Sequence, residues 1–204
     1  MASPTDICNL ALGHIGGEAN VQSISPPEAT VEAENSAKFY PIARDMLLEM
    51  HNWFFAMKRA VLASVTNPTT SWNFAYTLPS DCLKAVSVLP PGTTDDTATE
   101  DFVTEAAADG SLILYTNVDQ ATLRYLVRIT DTSKFTPLFV VALSWLLGTF
   151  LAGPIIKGRP GIAASDRCTK GFSVAYAMAT TSSANTAQLD NTMKDQQPIW
   201  ISDR

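Results

Sequence analysis

Apolar residues recur at Ile7, Leu10, Ala11 and Ile15, three or four positions apart, behind a Thr5-Asp6 pair suited to capping a helix. The spacing predicts a helix over residues 3–15, ended by Gly16-Gly17. After a loop holding Pro26-Pro27, a longer helical pattern runs over 28–52, with Phe39, Ile42, Met46 and Met50 on one stripe. Glu28, Glu32 and Glu34 near its start suit the positive end of the helix dipole. Pro41 lies inside this pattern, removes one backbone hydrogen bond, and predicts a kink or a split into two helices.

At Trp53 the period changes. Strands are predicted over 55–62, 72–78, 83–89, 111–116 and 121–130, the last alternating through Leu123, Tyr125, Val127 and Ile129. Asp109-Gly110 reads as the tight type I′ turn of a hairpin, and the Pro-, Thr- and Asp-rich stretch between Leu89 and Phe102 as an exposed loop. Phe135 to Ile156 then holds 22 residues without a charge. Thr136-Pro137 is a helix start and Gly153-Pro154 a stop, which predicts a helix over 137–152. Its length of roughly 24 Å falls short of the ~30 Å of a bilayer's hydrocarbon core, so no membrane span is expected. A helix apolar all round is instead expected to be buried by its own fold on one side and by another subunit on the other. Leu138, Val141, Trp145 and Phe150 are its candidate subunit contacts. An alanine-rich helix follows over 161–187, with Ile162, Cys168, Phe172, Ala175, Tyr176 and Ala179 roughly in line.

The expected fold is therefore α+β, in a single domain of residues 1–188. Its helical lobe comprises 1–52 and 134–188, and a mainly antiparallel β lobe, 53–133, is inserted between them. Residues 189–204 form a polar tail carrying one apolar cluster, Pro198-Ile199-Trp200-Ile201, read as a docking element. The competing reading folds that cluster back onto its own domain.

Composition narrows the function. At 204 residues the chain needs no disulfide or metal to hold a core, and 46% hydrophobic residues exclude wholesale disorder. Charged residues are sparse at 17%, which hints at surface reserved for a partner. Fourteen Lys and Arg against twenty Asp and Glu give a net charge of −6, unfavourable for gripping phosphates. Twelve of the twenty acids fall in residues 1–37 and 85–123, two segments without a single Lys or Arg, so at least one face is expected to be strongly negative. Cys8, Cys82 and Cys168 are too far apart for a disulfide framework or zinc site and read as buried thiols in a reducing cytoplasm. No positive charge precedes the first apolar run, so no secretory signal is expected.

Catalytic signatures are lacking. His14 and His51 have no second ligand at metal spacing, and no phosphate-binding glycine loop or GxSxG elbow occurs. The carboxylate pairs Asp95-Asp96 and Glu100-Asp101 lie in a loop-like stretch where nothing desolvates one member. Trp53, Phe54 and Phe55 beside Lys58-Arg59 read as a core strand with a charged end rather than a single-strand platform. No cofactor is implied.

Several segments together resemble one family. Ile7-Cys8-Asn9-Leu10-Ala11-Leu12 with Ile15-Gly16-Gly17, then Tyr40-Pro41-Ile42-Ala43-Arg44-Asp45-Met46-Leu47-Leu48 with His51-Asn52-Trp53-Phe54-Phe55-Ala56, resemble blocks of the tail tubular protein A family, the head-to-tail adaptors of short-tailed phages. Trp72 to Tyr76, Leu78 to Leu83, Leu123 to Asp131, and Phe135-Thr136-Pro137-Leu138-Phe139 are similar to later blocks, in order, over residues 7–156. The family often has Pro after the His, where this chain has Asn52. The resemblance implies a structural virion protein, not an enzyme, made in the host cytoplasm and placed in the tail at the head–tail junction. It implies a homo-oligomeric ring, usually of twelve, that joins the portal protein to the tail nozzle protein. Tail fibres are a further possible partner. DNA passes through the lumen on ejection without specific binding, and negative walls keep phosphate sliding. Pro198, Ile199, Trp200 and Ile201 are then expected on the portal and the Asp109-Gly110 hairpin toward the nozzle. The rival reading is a glycan-cleaving enzyme of the tail acting at the cell envelope, which needs two carboxyls about 5 to 10 Å apart in a cleft.

Overall fold

A computed structural model of the chain describes residues 2–18, 20–93, 98–107 and 110–187. The chain is α+β and divides into two compact units. One comprises the chain up to Phe55 and from Thr130 onward; the other is Ala56–Ile129.

Among the described residues the first unit holds four α-helices, α1 (Pro4–Ile15), α2 (Val31–Met50), α3 (Pro137–Ile156) and α4 (Gly158–Ala187). Ser3, not Thr5 or Asp6, caps α1: its hydroxyl accepts from the Asp6 N–H at 3.1 Å and its own N–H donates to the Asp6 carboxylate at 2.8 Å. Gly16 ends the helix in the left-handed region, at φ +80°. α2 begins three residues later than expected, because Thr30 caps it and Glu28 lies in the preceding loop accepting the Gln22 N–H. Pro41 does not split α2, which runs unbroken past it. The proline faces solvent, where water replaces the missing backbone bond.

α2 carries a second correction. The stripe of Ile42, Met46 and Met50 is exposed, and the buried face is instead Ala33, Tyr40, Ala43, Leu47 and Leu48. Two apolar stripes share the helix, and the one through Tyr40, Ala43 and Leu47 is the inner one.

α3 runs through Gly153-Pro154 to Ile156 instead of stopping at 152. A proline in the last turn sacrifices a bond only at the helix end, and Lys157, at φ +58°, makes the break. Twenty residues span roughly 30 Å, so length no longer argues against a membrane span, and among the described residues α3 is the one helix long and apolar enough for it. Packing accounts for that composition in another way. α1, α2 and α4 all contact α3, burying Phe139, Leu143, Leu146, Leu147 and Leu151. Three helices thus pack on α3, more cover than the single face expected, while Leu138 and Val141 stay exposed. Small residues set the approach of α4: a β-carbon on Gly148 would stand 3.0 Å from the Cys168 sulfur, and one on Gly161 3.0 Å from the Ala152 carbonyl. α4 itself starts at Gly158, and Ile162, expected in its apolar line, is 65% exposed.

Trp53 to Phe55, expected to open the β lobe, belong to the helical unit. The Trp53 indole N–H donates to the Leu47 carbonyl at 2.9 Å, and its ring meets Phe139 edge-on at 5.0 Å. The first strand starts at Met57.

The second unit has seven strands: β1 (Met57–Val61), β2 (Ala63–Val65), β3 (Phe74–Thr77), β4 (Cys82–Leu89), β5 (Phe102–Ala106), β6 (Leu112–Thr116) and β7 (Thr122–Val127). They form two sheets, ordered β1-β7-β4 and β2-β3-β6-β5, with every pairing antiparallel. Leu62, whose N–H reaches the Ala121 carbonyl, ends the strand expected over 55–62 and separates β1 from β2, which the pattern did not predict. Leu62, Tyr76, Val88, Leu114, Leu123 and Tyr125 form the core.

β5 and β6 form the expected hairpin, with Ala106 opposite Leu112. The Ala107 N–H donates to Ser111 O at 2.7 Å and the Gly110 N–H to Ala107 O at 2.9 Å, with Gly110 in the left-handed region at φ +83°. Asp109 lies outside the described residues, as do Asp95-Asp96 and the tail with Pro198, Ile199, Trp200 and Ile201.

Candidate functional site

Thr136 accepts the Phe139 N–H and fixes where α3 starts, which sets Leu138, Val141 and Trp145 along one edge of the helix. They meet Gly171, Val174 and Met178 of α4 in an apolar groove of about 360 Å³. Leu138 is 37% exposed, Val141 42%, and Val174 and Met178 58% each. A cluster of this kind, in which two helices turn four exposed apolar residues toward one groove, marks an interaction surface.

Trp145 is the floor of the groove and is held on both sides. A β-carbon on Gly171 would come within 2.6 Å of the indole, so only glycine lets the ring lie there. On the other side the His14 imidazole stacks on it, 3.6 Å between centroids and 7° from parallel. His14 is fixed in turn. Its Nε2 donates to Ser144 Oγ at 3.0 Å, since the Ser144 hydroxyl is committed to the Val141 carbonyl at 2.8 Å. Arg167 donates to the His14 carbonyl at 2.6 Å. Burial first, and the Arg167 charge second, hold the His14 pKa below the ordinary histidine value. The imidazole is therefore a neutral aromatic plate that rigidifies the groove.

Three of the four expected α3 contacts are thus brought together. Phe150 is not among them: it stacks on Phe39 of α2, 6.0 Å between centroids, on the opposite side of α3. Val174 and Met178, the α4 wall, were missed. Their i, i+4 spacing beside Gly171 was the available signal, obscured by the many small residues of this helix.

The family-like blocks turn out to be packing and pinning residues. Asn9 brackets Val21 with two hydrogen bonds of 3.0 Å, tying the chain after α1 back onto it. Arg44 is buried and pairs with Asp45 at 2.8 Å, and Tyr40, Leu47 and Leu48 lie in the core. In the β unit, Asp81 accepts from Lys58 at 2.7 Å and from the Tyr125 hydroxyl at 2.9 Å. The Lys58 bond, foremost, holds the Asp81 carboxyl below its ordinary range.

Reactive groups are spread thinly. Cys8 and Cys168 are buried and Cys82 half-buried, all three unpaired, and burial pushes the Cys8 thiol up to about 12. Glu100 and Asp101 are exposed. Among the described residues, no three of His, Cys, Asp and Glu stand together as a metal site would require. What the groove offers chemically is desolvation of an apolar surface. No family model matches the chain, and no curated protein matches it.

Proposed function

We propose that this protein is a head-to-tail adaptor of a short-tailed phage: a structural virion subunit, not an enzyme, that forms a ring between the portal and the tail nozzle. The observation that carries the reading is the apolar groove of Leu138, Val141, Trp145, Val174 and Met178, built and rigidified with no group in it able to do proton or nucleophile chemistry. Such a surface is made for permanent contact with protein. The ordered sequence blocks of residues 7–156 supply the rest of the argument, because their residues hold one scaffold together and do not converge on a cleft.

In this role the ring, of about twelve copies by the family resemblance, lets DNA through a lumen whose acidic segments repel phosphate. The Gly110 hairpin faces the nozzle, and Pro198-Ile199-Trp200-Ile201 reaches the portal. A tryptophan at the centre of an interface is often worth about 2 kcal/mol or more on truncation, which makes Trp200 the anchor. Deleting residues 196–204 tests this. The subunit should stay folded and soluble, while heads leak DNA or fail to acquire tails. Normal tailed particles from that deletion contradict the portal role of the tail.

A further inference from the structure

Among the described residues the helical unit leaves several apolar surfaces uncovered, and two of them are opposite in shape. One is the groove between α3 and α4. The other is a ridge on α2, where Ile42, Met46 and Met50 are 52%, 44% and 41% exposed at i, i+4 and i+8. The same helix buries Tyr40, Ala43 and Leu47 on its core side, so the ridge is surplus to the unit's own packing.

Ridge and groove lie on opposite flanks of α4. The Tyr176 hydroxyl donates to the Met50 carbonyl at 3.0 Å and Phe172 packs on the Tyr176 ring, so that flank faces α2. Val174 and Met178 stand two residues either side of Tyr176, roughly 160–200° around the helix. Arg167, on the groove's flank, reaches across to the carbonyl of His14 in α1. The ridge therefore cannot fill the groove of its own chain.

We infer that Ile42, Met46 and Met50 of one copy seat in the Leu138–Val141–Trp145–Val174–Met178 groove of the next copy, so that the chain assembles head to tail. Contact between two different surfaces propagates around a ring, whereas a surface that mates with itself stops at a dimer. Two methionines suit the task, being unbranched and able to fill an irregular slot. Charge points the same way. Lys170, one turn before Val174, and Arg167 stand beside the groove, and pairing two grooves would set these cations against their own copies. Beside the ridge stand Glu49, three residues after Met46, as well as Lys38, so a negative partner for the groove's cations is present there. The inference rests on the self-assembly half of the proposal above and not on portal or nozzle.

Cysteine cross-linking of the full chain tests it. Met46→Cys and Val174→Cys are made separately in a Cys82→Ser background, since Cys8 and Cys168 are buried. The two chains are mixed, oxidised with copper-phenanthroline and separated without reductant. The mixture should yield dimers with one chain of each kind, at least about tenfold faster than either chain alone, and the double variant should yield a ladder. Two results overturn the inference. One is Val174→Cys joining itself as fast as the mixture does, which means groove against groove. The other is the mixture reacting no faster than Val174→Cys mixed with Glu34→Cys, twelve residues before Met46 and so roughly 18 Å along α2 and about 120° around it, which means the ridge is not the occupant. No portal enters the assay. Cross-links without portal attachment leave the interface standing and sink the adaptor reading, and portal attachment without these cross-links does the reverse.

Discussion

A β-carbon at Gly171 would stand 2.6 Å from two atoms of the Trp145 indole, a distance no real contact tolerates. Gly171→Ala must therefore push the ring off its stack with His14. Overpacking of this kind costs about 1–3 kcal/mol, and urea unfolding should show a loss in that range. Gly13→Ala is the matched control, because nothing lies within 4 Å of its β-carbon and alanine favours a helix; it should be neutral or stabilising by up to about 1 kcal/mol. Asp81 makes a second residue-scale prediction. Its folded pKa is depressed, chiefly by the Lys58 bond, so its contribution is fully present above the ordinary carboxylate value and is lost as pH falls through the folded value. Asp81→Asn should lower stability at neutral pH and flatten the acid end of a stability-against-pH curve. An unchanged acid slope would mean that the Lys58–Asp81–Tyr125 contact does not titrate with folding.

Helices and strands were legible as changes of period, at Trp53 and again at Phe135, because each element keeps one face in a core. What period leaves open is which of two apolar stripes is the inner one. On α2 the large residues Ile42 and Met46 point out while Ala43 and Leu47 pack inward. Ends were misread for local reasons, as at Pro154, where only the last turn loses a bond. Half of the groove was readable from the excess of apolar residues on α3. The other half, Val174 and Met178, sits in a helix whose composition reads as small and polar. The β5–β6 hairpin was visible in Asp109-Gly110. Gly110 at φ +83° should not tolerate a β-branched residue: Gly110→Val is expected to cost about 1–3 kcal/mol in unfolding of the β unit. On the proposed function, Asp109-Gly110→Val-Val should also weaken nozzle attachment; attachment that survives this change means that the hairpin is not the docking element.

The whole molecule presents an apolar groove between α3 and α4 and an apolar ridge on α2, and its own packing covers neither. Burying a charge in the groove under the apolar side chains of a partner costs several kcal/mol, so Val141→Asp should leave the fold intact, since this side chain is 42% exposed, while blocking assembly. Circular dichroism checks the first half of that statement. The most direct test of the whole account is the mass, by light scattering, of the portal from the same phage with and without this chain. The account predicts that the portal peak gains about one chain per portal subunit, that the Val141→Asp chain adds less, and that the chain without residues 196–204 adds nothing. A portal peak of unchanged mass with the unaltered chain, at concentrations where both proteins are folded and soluble, would contradict it.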